Sequence, residues 1–140
     1  MTTIADELTE LADEFDLLGD WEERYRYVID LGRELEPLAE GERNDANKVH
    51  GCASQVWLST RRTPDGRLAF RGDSDAHIVK GLIAVLLRLY SNRTPEEIAS
   101  FDAREAVQRL GLSEALSTQR SNGLAAMVAR IRRDAELAAA

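Results

Sequence analysis

The sequence predicts an α+β fold, a small antiparallel β-sheet packed against several helices, and three observations carry that expectation. Residues 55–62 and 67–72 alternate apolar and polar, the period of half-buried strands, across the turn Thr63-Pro64-Asp65-Gly66. On either side, apolar residues recur at helical spacing. Residues 76–90 are apolar almost all round, which puts that helix in the middle of a domain with neighbours on several sides. The 140 residues are expected to form one domain, 1–140, able to bury about two-thirds of their unfolded surface.

The elements follow in order. Residues 3–15 read as an amphipathic helix capped by Thr3, with Ile4, Leu8, Leu11 and Phe15 on its inner face. Asp20 opens a second helix, with Glu23 completing a capping box; Trp21, Tyr25, Val28 with Ile29, Leu31 and Leu35 form its apolar face, and it stops before Pro37. Glu40 to Asn47 is polar and turn-rich, hence a surface loop. Lys48-Val49 is a short strand leading into a bend at Gly51-Cys52. The strand from Gln55 to Arg62 puts Val56, Leu58 and Thr60 on one face, and Arg67 to Gly72 returns as its partner. In the turn between them, Pro64 pre-sets φ and Gly66 accepts a positive one.

Asp73-Ser74-Asp75 is expected to cap the central helix, in which Gly81 marks close packing against another backbone. Thr94-Pro95-Glu96-Glu97 supplies a cap, a first-turn proline and a capping glutamate. Asp102 and Glu105 repeat the box for a helix closed by Gly111. Ser113 to Leu116 is one turn at most. The last helix starts near Ser121, turns Leu124, Met127, Val128 and Ile131 inward, and frays into Ala138-Ala139-Ala140. Arg130, Arg132 and Arg133 are expected to complement the negative end of a helix.

Composition narrows the function. A formal charge of −7 argues against a nucleic-acid partner, because phosphates demand basic patches. The N-terminus lacks the basic and apolar regions of a signal peptide, and the run Ala76–Tyr90 is too short for a bilayer and carries Lys80 and Arg88. The expectation is therefore a cytoplasmic protein with no membrane partner. One cysteine makes no internal disulfide, and one cysteine with two histidines is too few for a zinc or cluster site held by this chain alone.

That single cysteine sits in Asn47-Lys48-Val49-His50-Gly51-Cys52-Ala53-Ser54-Gln55-Val56-Trp57-Leu58, at the mouth of a strand, with Gly51 freeing the backbone beside it. An isolated intracellular cysteine is often a small buried hydrophobe. The wider segment adds to that reading. Val49 to Leu58 resembles the V-x-G-C-x-S-x-V-W-[LI] signature of the SufE/CsdE family, sulfur acceptors that partner cysteine desulfurases in iron–sulfur cluster assembly. Arg71-Gly72-Asp73-Ser74-Asp75-Ala76-His77-Ile78-Val79-Lys80-Gly81-Leu82 and Arg120-Ser121-Asn122-Gly123-Leu124 resemble two further stretches of the family, in its order and spacing.

The resemblance implies a SufE/IscU-like fold and a persulfide carrier that stimulates its desulfurase, not a stand-alone enzyme. Its partners would be a pyridoxal-phosphate-dependent cysteine desulfurase of the SufS/CsdA kind and a downstream iron–sulfur scaffold complex. The chain itself shows no cofactor-binding motif and is expected as a monomer or weak homodimer. Cys52 would accept the sulfur, and Arg120 would dock the partner or support the thiolate. His50, Gly51 and Ser54 belong to the loop motif and Asp75 to the second. His77, beside Asp73 and Asp75, reads as a satisfied structural histidine, and Lys80 as a solvated charge.

The chemistry needs no more than one sulfur. A thiol of pKa about 8.5 is only a few per cent thiolate at neutral pH, yet thiolate is the nucleophile. Taking sulfur from a persulfide is displacement by one thiolate, whereas C-x-x-C exchange needs two. The loop thiol, backed by Val49, Val56 and the central helix, is expected to retreat into an apolar pocket that also shelters the loaded sulfur. A non-catalytic adaptor or regulator of the desulfurase is the alternative. A cluster scaffold would need several ligands on its own chain, and a one-cysteine peroxidase would need a polarised thiol motif that is not legible here.

Overall fold

A computed structural model describes residues 3–112 and 116–139. Among them, six helices and a two-stranded antiparallel sheet run in the order α1 (Ile4–Asp16), α2 (Trp21–Arg33), β1 (Val56–Arg62), β2 (Leu68–Ser74), α3 (His77–Tyr90), α4 (Pro95–Ser100), α5 (Ala103–Arg109) and α6 (Thr118–Ala139), with a 3-10 turn at Glu40–Glu42. This is the α+β architecture expected, with α3 at its centre in contact with α1, α2, β2 and α6.

The periodicity of α3 explains its place. Ile78, Val79, Leu82, Ile83, Val85, Leu86, Leu87 and Leu89 are all buried. Beyond the first residue, His77, only Lys80, Ala84 and Arg88, one stripe at four-residue spacing, reach the surface in part. Packing is closest where α2 crosses it. A Cβ on Gly81 would lie 2.2 Å from the Val28 carbonyl oxygen, and one on Gly32 would lie 2.6 Å from the Gly81 nitrogen. Two glycines therefore let the helix backbones touch. The aromatic stripe of α2 is less enclosed than its spacing suggests: Val28 and Gly32 are buried, while Trp21, Tyr25, Leu31 and Leu35 pack against the core only partly.

The hairpin pairs Val56 with Ser74 through Arg62 with Leu68, and Gly66 takes φ +83° in the turn. Strand β2 runs two residues further than expected. Asp73 and Ser74 are buried strand residues, and the N-cap of α3 is Ala76, which makes no side-chain cap. Asp73 instead serves an internal charge cluster, pairing with Arg43 and with Lys80 at 3.3 Å. Lys80 is accordingly an ion-pair partner rather than a free surface charge. Burial pulls the Asp73 carboxyl upward, but the Ser74 N–H, Lys80 and Arg43 outweigh it and hold the group below its ordinary value. Arg43 also lies over the Trp57 ring, 6.0 Å from its centroid, so loop 40–48 is fastened across the outer face of β1. His77 is exposed at the start of α3, not enclosed.

Capping follows the sequence at Thr3 and Thr94, both complete boxes. Elsewhere the partners differ. Glu23 reaches the Gly19 N–H at 2.8 Å, one residue before the cap, and Asp102 accepts from Arg104 rather than Glu105. Gly111 closes α5 at φ +72° as expected. The turn expected at Ser113–Leu116 falls mostly outside the described residues.

Helix α6 begins at Thr118, three residues before the expected start, and continues to Ala139 without fraying at Ala138. Its second half is tied to the hairpin and the loop. Thr60 donates to Asp134 at 2.6 Å, Arg62 donates to the Ala138 carbonyl at 2.8 Å, and Arg130 bridges Asp134 at 3.2 Å and the Ala46 carbonyl at 3.0 Å. Arg132 does serve a helix terminus, donating to the Ala99 carbonyl at the end of α4. These ties leave the first half of α6 facing the loop that carries Cys52.

Candidate functional site

The loop is closed at its base by backbone pairing. Lys48 bridges Trp57, the Val49 N–H donates to the Val56 carbonyl at 2.8 Å, and the Leu58 N–H donates to the Asn47 carbonyl at 2.8 Å. The short strand expected at Lys48-Val49 is thus this bridge on the free edge of β1. A clamp holds the far side: the Gln55 N–H donates to Asp75 Oδ1 at 2.9 Å, and the Asp75 N–H donates back to the Gln55 carbonyl at 3.3 Å. Asp75 is an exposed carboxylate that fixes the loop, not a helix cap. Gly51 takes φ +93°, which only glycine adopts without strain, and reverses the chain so that Cys52 turns inward.

The thiol is seated against α6. Cys52 Sγ–H donates to the Gly123 carbonyl, with 3.6 Å between sulfur and oxygen. Gly123 lacks the side chain that would meet Cys52: a Cβ there would lie 3.6 Å from Sγ and 3.8 Å from the Cys52 Cβ. One turn on, Ala126 packs beneath Gly51, where an added Cβ would be 3.4 Å away. Small residues on α6 therefore form the notch in which the loop lies.

Beneath the sulfur is a cavity of about 140 Å³. Ala53 and Ser54 line it from the loop, Val79 and Leu82 from α3, and Gln119, Arg120, Gly123 and Met127 from α6. Burial pushes the Cys52 thiol above its ordinary pKa. With the loop seated, the sulfur is a neutral hydrogen-bond donor and a poor nucleophile. A wider cleft of about 500 Å³ lies between α5 and α6, floored by Val107, Leu124 and Val128. Its one hydroxyl, Ser121, has no histidine or lysine in the lining to activate it, so the smaller cavity, which holds the thiol, is the one with chemistry.

Cys52, Ser54 and Arg120 come together around one cavity, although Arg120 lies on a helix far along the chain. Its backbone N–H is capped by the Ser117 hydroxyl at 3.2 Å while its side chain stays exposed at the rim. His50 and Gly51 are exposed at the loop's tip, and neither lines the cavity. The expected backing by Val49 and Val56 is corrected: both are buried at the base of the loop, and the apolar walls are Val79, Leu82 and Met127. The Gly123 carbonyl was not foreseen. A glycine near the start of a helix pattern is the one signal that marks such a close approach. Among the described residues, no group of three or more His, Cys, Asp or Glu is gathered to hold a metal, and no helix is long and apolar enough to cross a membrane.

Comparison with known proteins agrees with the fold. A family model described as SufE, Fe-S metabolism associated domain, matches residues 9–135. An uncharacterized SufE-like protein of Rhizobium etli is 54% identical over 136 residues, 95% of this chain and 92% of the relative. Another from Rhizobium meliloti is 48% identical over 132 residues, 92% of this chain and 94% of the relative. The fold is shared with a hypothetical protein of Thermus thermophilus solved in solution, with a TM-score of 0.77 at 19% identity, covering 94% and 95% of the two chains.

Proposed function

This chain belongs to the SufE family, an Fe–S metabolism associated domain, and on that premise we propose that Cys52 carries sulfur from a cysteine desulfurase toward a cluster scaffold. The observation that supports the reading best is the seat itself. The only sulfur nucleophile in the chain lies on a loop with a glycine hinge, over a cavity, against a helix notch cut by Gly123.

In the transfer step the Cys52 thiolate attacks the outer sulfur of the donor's cysteine persulfide. A new Sγ–S bond forms, the donor's S–S bond breaks, and the donor cysteine leaves as thiolate. Charge is conserved, and no second thiol on this chain takes part. The seated thiol faces inward and is neutral, so uptake needs the loop to lift from Gly123 and Cys52 to lose its proton. Docking of a pyridoxal-phosphate-dependent desulfurase around the loop and Arg120 supplies that opening. Clearing the donor's persulfide frees it for another turnover, which makes this protein an activator and carrier rather than an independent enzyme. A thiol that stays free between cycles suits a reducing compartment, and we assign this single SufE-like domain to the cytoplasm.

The test is stimulation of a desulfurase by Cys52→Ser. The variant changes one atom in a loop, so circular dichroism should be unchanged while stimulation is lost. Undiminished stimulation by the serine variant would favour a non-catalytic adaptor and overturn the carrier reading.

A further inference from the structure

The seat distinguishes one charge state of sulfur from another. The atom facing Cys52 Sγ is a carbonyl oxygen, which accepts a proton-bearing group and repels an anion. Val79, Leu82 and Met127 offer an anion no compensation for lost water, and the polar side chains of the lining, Ser54 and Gln119, are neutral. Of the side chains lining the cavity, only Arg120 is charged, and it is exposed at the rim. A neutral thiol therefore fits the seat. A persulfide is more acidic than its parent thiol, and at neutral pH its outer sulfur carries a full negative charge with no proton for the Gly123 carbonyl.

We infer that the seat formed by the Gly123 carbonyl and the apolar wall of Val79, Leu82 and Met127 admits only uncharged sulfur, so that loading Cys52 itself lifts the loop and turns the anionic sulfur outward toward Arg120. The inference rests on Cys52 being the sulfur carrier and adds how its two states differ in shape. The unloaded protein keeps its thiol closed off. The loaded protein presents its sulfur together with a guanidinium, which gives a downstream acceptor a surface that the empty carrier lacks. The pocket expected from the sequence to store the loaded sulfur then stores the resting thiol instead.

The experiment loads Cys52 in two ways that differ in charge and not in need of a partner. An inorganic polysulfide gives the persulfide: the Cys52 thiolate attacks a sulfane sulfur, an Sγ–S bond forms, and a polysulfide one sulfur shorter leaves. Methyl methanethiosulfonate gives a neutral S-methyl disulfide that is larger than the persulfide yet within the cavity's 140 Å³. Intact mass identifies each adduct, and hydrogen exchange reads the amides of residues 50–55, including the Gln55 N–H held by Asp75. The persulfide form should exchange about tenfold faster or more at these amides, with the methyl disulfide close to the free thiol. Carboxymethyl and carbamidomethyl adducts, nearly equal in size, provide a stable pair, and only the charged one should open the loop. Equal opening by charged and neutral adducts would make size the cause and overturn the inference, as would a persulfide form that stays protected. Failure of a desulfurase to load Cys52 would instead strike the carrier reading, because chemical loading does not use it.

Discussion

Gly81→Ala is the sharpest test of how α3 is held. The added methyl would sit 2.2 Å from the Val28 carbonyl oxygen, 2.5 Å from Val28 Cγ1 and 2.6 Å from the Val28 carbonyl carbon. Two of these are backbone atoms, so no rotamer change relieves them, and α2 must retreat by about 1 Å to reach ordinary contact. A gap of that size forfeits a quarter to a half of each dispersion contact along the most extensively packed pair of helices in the fold. Overpacking of this kind costs roughly 3 kcal/mol or more, and alanine returns about 1 kcal/mol of helix propensity, leaving a net loss of about 2 kcal/mol. Urea titration followed by circular dichroism measures it. Gly41→Ala is the control, since nothing lies within 4 Å of its added methyl, and its effect should stay within about 0.5 kcal/mol. A Gly81→Ala protein as stable as wild type, or more stable by the propensity gain, would refute the close crossing of α2 and α3.

Three further outcomes follow from the site and its supports. Asp75→Ala removes the clamp on the Gln55 N–H, and loss of one such bond, about 1 kcal/mol, should raise iodoacetamide labelling of Cys52 about fivefold; an unchanged rate would show that the clamp does not hold the loop. Asp73 is held below its ordinary 3.8, so its contribution to stability is present above that pH and fades as pH falls through the lower folded value; Asp73→Asn should weaken the protein at pH 7 and flatten the acid limb of its stability curve, and an acid limb identical to wild type would contradict the buried cluster. Arg120→Ala should leave labelling of free Cys52 within about twofold, because the exposed guanidinium does not offset burial of the seated thiol, while slowing sulfur uptake. Arg120→Lys should recover uptake if charge suffices and fail if a planar bidentate contact is required; uptake at the wild-type rate in both variants would remove Arg120 from the site.

Local chemistry made much of the fold legible. Ile4, Leu8, Leu11 and Phe15 follow helical spacing and are all buried, and the Thr94 box forms as its residues predict. Gly81 marked a close backbone approach because a glycine inside so strong a helix pattern costs stability unless something needs the space. What escaped depends on distant partners. Asp73 in Asp73-Ser74-Asp75 has the local form of a cap, and its burial in β2 is fixed by Arg43, thirty residues earlier in the chain. The spacing of Trp21 and Tyr25 defines a face of α2 but not how many neighbours cover it, and the face is only half enclosed. At the site, Cys52 and the hinge at Gly51 were readable as residue types, whereas the acceptor for the thiol is a backbone carbonyl 71 residues away, which has no side-chain signature.

The measurement closest to the central claim is the intact mass of the protein after incubation with a pyridoxal-phosphate-dependent cysteine desulfurase and free cysteine, beside Cys52→Ser. Sulfur carriage through Cys52 predicts that the wild type gains one sulfur atom, lost on treatment with a thiol reductant, and that the serine variant gains none. A serine variant that takes up sulfur, or a wild type that stays unmodified while still accelerating the desulfurase, would contradict it.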